Sequence, residues 1–126
     1  MTISERASAM VQEMPQRERP ISEQFRIVAN QYADANAAAK LMEEMKTTTL
    51  ENIKTRIMSE ANEPMADNKA ERLAKCSDDW KAYIKDMCGH RARADKLKLQ
   101  LDYIKIKHSE QQQDRADARD EKRMSR

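Results

Sequence analysis

Cys88-Gly89-His90 is the one place in this chain where a thiol and an imidazole stand close together, and Cys76 and His108 complete its stock of the two. A thiol beside an imidazole is the pairing that cysteine-based acyl transfer uses, and two Cys with two His form a zinc-ligand set. The spacing supports neither chemistry. Residues two apart on a helix point about 200° apart, so Cys88 and His90 face away from each other. The intervals separating Cys76, Cys88, His90 and His108 match no zinc-finger pattern. A chain with a single glycine also has no Walker loop, dinucleotide fingerprint or Gly-rich phosphate cradle. The residues therefore predict no catalytic group, no metal site, no cofactor and a non-enzymatic protein.

The remaining candidates are cations. The chain is nearly balanced, with 24 Lys and Arg against 22 Asp and Glu, but the segment 81–107 holds eight basic residues and only three Asp. Within it, Arg91, Arg93, Lys96, Lys98, Lys105 and Lys107 outnumber Asp95 and Asp102, and Tyr103 adds a flat ring. Cations beside rings are what a sequence-tolerant single-strand site uses, holding phosphates and stacking bases. The plainer alternative is the solvated flank of a coiled coil, whose Lys and Arg stems cover apolar positions and pair with acids on a neighbour.

The elements that position these residues are helical. A charged-residue share of 37%, one Gly, three Pro and a wealth of helix formers predict an all-α chain. From Leu73 to Gln111 a seven-residue beat runs through Leu73, Trp80, Met87, Ala94, Leu101 and His108 in one register. Cys76, Tyr83, His90, Leu97, Ile104 and Gln111 occupy the other. This is a coiled-coil seam of roughly 58 Å at ~1.5 Å of rise per residue. Its expected anchors are Leu73, Trp80, Tyr83, Met87, Leu97, Leu101 and Ile104. Few aromatics and nine Met predict a thin, adaptable core that copies of the chain complete for one another, hence a homo-oligomer.

An earlier stripe, from Phe25 and Val28 through Tyr32, Ala35, Met42 and Ile53 to Ile57, predicts a first helix from about Ser22, its expected N-cap, to Glu60. Its alanine-rich middle, Ala33 to Ala39, lets a neighbouring helix come close, and Thr47, Thr48 and Thr49 are positioned to loosen it. Pro64 marks a turn near residues 61–66, with Pro64 or Asp67 starting a second helix that reaches about Gln113 and is weakest at Gly89. The expected architecture is a long antiparallel helical hairpin, or coiled coil, over 21–113 that assembles into an oligomeric bundle; a kinked single rod is the alternative. Residues 1–20, with Pro15 and Pro20, read as a flexible arm with at most a short helix around Ala7 to Met14. Residues 114–126 read as a charged, fraying tail.

Cys76 and Cys88 would lie about 18 Å apart along one helix, too far to bridge, which points to a reducing compartment. No apolar run approaches the ~20 residues of a membrane span, and no signal-type stretch opens the chain. The expected location is cytoplasmic, with no membrane partner.

Arg93-Ala94-Asp95-Lys96-Leu97-Lys98-Leu99-Gln100-Leu101-Asp102-Tyr103-Ile104-Lys105-Ile106-Lys107-His108, followed by Arg115-Ala116 and Arg119, resembles small helical proteins of tailed bacteriophages. In that group an Arg-Ala lead, a Leu-x-Tyr-Ile/Leu core and a trailing Arg-Ala cluster recur, as in the recombination mediators of T-even phages. The resemblance covers roughly residues 75 to 120. It departs from the group at Ser109-Glu110-Gln111, where a Trp is common. It implies an oligomer in the bacterial host cell that binds single-stranded DNA and helps a recombinase load or displaces a single-strand-binding protein. Arg91, Arg93, Lys96, Lys98, Lys105 and Lys107 are the expected phosphate contacts, with Tyr103 as the stacking ring. Two other classes fit the same composition: a protein-binding inhibitor or adaptor acting on a host enzyme, and a structural coiled-coil scaffold.

Overall fold

The computed structural model describes Thr2, Ile3, Glu5, Arg6 and residues 19–125. The expected short helix around Ala7 to Met14 lies outside them. No strand occurs among the described residues, and four helices span nearly all of 21–124: α1 Ile21–Glu44, α2 Lys46–Glu60, α3 Asp67–Cys76 and α4 Asp78–Met124. Near the start, Thr2 and Glu5 cap each other reciprocally, each backbone N–H donating to the other's side-chain oxygen at 2.9 and 3.1 Å. The chain divides into two compact units, 33–95 and a second formed by 1–32 with 96–126.

In the 33–95 unit, the outgoing run of α1 and α2 reverses at 61–66, as Pro64 predicts, and α3 begins at Asp67. Cross-helix partners confirm an antiparallel course. Lys54 bonds Asp67, Arg56 bonds Asp79, Tyr83 bonds the Met42 carbonyl, and Arg91 bonds Glu43 and Asn36. The core is made mainly of small residues, with Trp80 and Ile53 as its large apolar members. Ala35, Ala39, Ala70, Ala74 and Ala94 are buried, so helix backbones approach closely, while Trp80 fills the space beside Ile53 and Ala74. Leu50, Ile57, Tyr83 and Ile84 pack around this cluster. The Trp80 and Tyr83 rings stack with centroids 5.8 Å apart.

In the other unit, Val28 on α1 meets Leu101 and Ile104 on α4, with Ile21, Ala29, Tyr32 and Leu97 packed around them. Gln24 is buried there too, and its side-chain amide donates to the Arg19 carbonyl at 2.6 Å. α1 starts at Ile21, one residue before the expected cap at Ser22, because the Pro20 carbonyl already accepts from the Glu23 and Gln24 N–H groups.

Two expectations are corrected. The seven-residue beat does not run unbroken from Leu73, because Ser77 ends α3 and starts α4. Its backbone is extended, and its hydroxyl donates to the Ala74 carbonyl at 2.6 Å and accepts from the Trp80 N–H at 3.2 Å. Asp78 and Asp79 then supply the acidic first turn that favours a helix start. The phase changes across this break. Ala70 and Ala74 point inward in α3, so Leu73 and Cys76 are exposed. The register fails again at His90, exposed while its neighbour Arg91 turns toward Glu43, and His108 and Gln111 are exposed as well.

The first helix is interrupted at Met45, just ahead of the three threonines placed to loosen it, although the Met45 N–H to Leu41 and Thr49 N–H to Met45 bonds continue across it. The second correction concerns the tail. α4 does not end near Gln113 but continues to Met124, held by local pairs such as Gln113 with Asp117 and Arg123 with Asp120, and finished by Lys122 and Arg123 at its carbonyl end.

The seam predicted between copies is occupied within one chain. Trp80, Leu101 and Ile104 are buried and Tyr83, Met87 and Leu97 half-buried, their surface covered by the chain's own helices.

Candidate functional site

Cys76, Cys88, His90 and His108 are all exposed, and no group of three or more His, Cys, Asp or Glu is placed to hold a metal ion among the described residues. No helix among the described residues is long and apolar enough to cross a membrane.

The basic residues separate by environment. Arg91 is committed to the fold: its Nε donates to Glu43 Oε1 at 2.8 Å, a second nitrogen to Glu43 Oε2 at 3.1 Å, and a third to Asn36 Oδ1 at 3.1 Å. The bond from Arg91 is the main cause that holds the Glu43 carboxyl below its ordinary range. Lys54, outside the expected set, is also structural. Its ammonium is covered by the turn and sits 3.0 Å from Asp67 and 3.4 Å from Glu51; the Asp67 bond is the larger cause that raises its pKa.

Arg93, Lys96, Lys98 and Lys105 are exposed and form no ion pair among the described residues; Lys107 is half-buried and likewise unpaired. Within 96–107, the helical repeat places Lys96, Tyr103 and Lys107 on one flank of the buried stripe, and Lys98 with Lys105, seven apart, on the other. The expected single ridge is thus two cationic rows on either side of the helix. Comparison with known protein families, with curated proteins and with solved structures finds no match to this chain.

Two features escaped the sequence reading. Leu99, Tyr103 and Ile106 are 70%, 64% and 58% exposed, and their spacing of four and then three residues makes a second apolar stripe on the outer side of α4. That signal was present in the sequence, overshadowed by the stronger inward stripe. The second feature is a notch of about 350 Å³ where α1 meets α4, floored by Ile21, Phe25 and Ile104 and edged by Ser22, Lys105 and His108. It adjoins a cleft that shares Ile21, Ser22 and His108 and extends to Lys107, Gln112 and Arg115. No acidic residue lines either cavity. Phe25 was read from its spacing as part of a buried stripe, yet it is 39% exposed, with the Lys105 ammonium 5.9 Å from its ring centroid.

Proposed function

We propose that this protein is a non-catalytic accessory factor of phage-type DNA recombination or replication that binds single-stranded DNA and assists a recombinase, or displaces a single-strand-binding protein, in the cytoplasm of a bacterial host. The observation that carries the reading is the set of exposed, unpaired cations Arg93, Lys96, Lys98 and Lys105 on α4. Cations engaged with carboxylates on their own chain, as Arg91 is, have little left for phosphate; these four do. Rows on both flanks of one helix suit a flexible single strand, which can bend to follow them, better than a rigid duplex.

Labelled oligo-dT should bind in fluorescence anisotropy and weaken as salt rises. If the four cations each neutralise one phosphate, the log–log slope is about −3, or roughly a 50-fold loss between about 50 and 200 mM salt. No binding at the lower salt would remove the reading.

Copies of the chain assemble, in this proposal, through Leu99, Tyr103 and Ile106, because the inward seam is already filled. Tyr103 then serves protein contact and not base stacking. Sedimentation should show mass rising with protein concentration, and L99E with I106E should return the chain to a monomer; unchanged association in that variant would place the contact elsewhere. The same stripe favours the second reading, an adaptor whose α4 face meets a host protein, and that reading moves ahead if oligo-dT does not bind.

A further inference from the structure

We infer that the Phe25 notch is a base-binding site, taking one unpaired nucleobase against the Phe25 ring with the neighbouring phosphates on Lys105 and Arg115. The inference rests on the single-strand reading above and supplies the stacking ring it needs. Three of the other rings are otherwise engaged, and the fourth, Tyr103, is exposed but lines neither cavity. Trp80 and Tyr83 stack on each other, and the Tyr83 hydroxyl is bonded to Met42. Tyr32 packs against the Val28 cluster, and Tyr103 lies between Leu99 and Ile106. Phe25, the chain's single phenylalanine, combines an open ring with a cavity beside it.

The chemistry of the lining selects the occupant. Ile21, Phe25 and Ile104 offer an apolar floor, Ser22 and His108 offer polar atoms at the edge, and about 350 Å³ is at the small end of ordinary ligand pockets. An apolar side chain from another protein would fit the floor but would leave Lys105 and the adjoining Lys107 and Arg115 without anionic partners. A nucleotide satisfies both parts, since its base has a π-face for the ring and its phosphate an anion for the rim. Lys105 already hovers over the Phe25 ring, a cation–π contact that a base would replace while the ammonium moves to the phosphate. The absence of any acid in the two cavities removes the charge that would repel a strand.

The test uses the full chain with two labelled probes, oligo-dT and an abasic oligonucleotide of equal length. Phe25→Leu keeps the notch apolar and removes the ring, and Phe25→Trp restores one. The leucine variant should bind oligo-dT about 5- to 150-fold more weakly, the range for one base–aromatic stack. It should bind the abasic probe as wild type does, and the tryptophan variant should recover oligo-dT binding. Circular dichroism should show unchanged helicity in both. Wild-type binding of oligo-dT that Phe25→Leu leaves intact, or that falls equally on the abasic probe, overturns the notch and leaves the single-strand reading standing. Wild type that binds neither probe overturns both. Loss of self-association in Phe25→Leu, with DNA binding intact, would assign the notch to a second copy and overturn the inference.

Discussion

Replacing Trp80 with alanine should destabilise the 33–95 unit by about 3–5 kcal/mol, the usual cost of truncating a buried Trp or Phe. Trp80 is 8% exposed, and the other buried apolar residues of that unit are Ile53 and five alanines. Trp80 is therefore the largest buried side chain of that unit. The helices around it already approach closely at Ala39, Ala70, Ala74 and Ala94, so they cannot collapse further to fill the gap. Tyr83 would also lose its stacking partner. Small domains are stable by only ~5–15 kcal/mol, and each kcal/mol moves the melting point of a domain this size by about 4–8 °C. A thermal melt followed by circular dichroism should show a transition lower by at least ~12 °C. A shift of less than ~4 °C would mean that Trp80 is not the centre of that core.

Reversing charge at Lys96, Lys98 and Lys105 together should abolish detectable oligo-dT binding while leaving the helices intact. All three are exposed and unpaired among the described residues, and surface substitutions of that kind usually change stability by no more than about 0.5 kcal/mol each. Each reversal removes a phosphate contact and adds a repulsive carboxylate. Three lost contacts lower the magnitude of the salt slope by about 2, and the affinity at about 50 mM salt should fall by on the order of 100-fold or more. Anisotropy read beside circular dichroism separates the outcomes. Binding that persists in the triple variant excludes these lysines as the phosphate contacts. Helicity that disappears with the binding would show that the lysines serve the fold.

How the chain packs was partly legible in its residues. The turn at 61–66 and the start at Asp67 followed from Pro64, a local effect of one missing donor and a restricted predecessor. Ala35 and Ala39 marked a close helix approach because only small side chains permit it. The break at Ser77 was equally local, a serine hydroxyl followed by two aspartates, and was hidden by a heptad count that accepted Leu73 and Cys76 as members of the same beat. The helical tail was missed because it has no apolar face, although its short-range charge pairs are enough to sustain a helix.

The seven expected nucleic-acid contacts were less well resolved. Lys96, Lys98 and Lys105 could be read as exposed from their positions off the main stripe, but nothing in the spacing marked Arg91 as the partner of Glu43 and Asn36, residues far back in the chain. The exposure of Phe25 was likewise invisible, since its place on the stripe beside Val28 argued for burial.

Local physics, which depends on neighbours within a turn or two, determined from the sequence alone that this chain is helical, where it reverses, and that it lacks the motifs of the common nucleotide and metal sites. Tertiary structure alone decided what covers the inward side of α4, which the beat through Leu97, Leu101 and Ile104 had already picked out. Val28 on α1 buries Leu101 and Ile104 there, while Leu99, Tyr103 and Ile106 stay outside and the Phe25 notch stays open. The reason is that burial is a property of residues brought together from distant parts of the chain, whereas helix formation is a property of residues already adjacent.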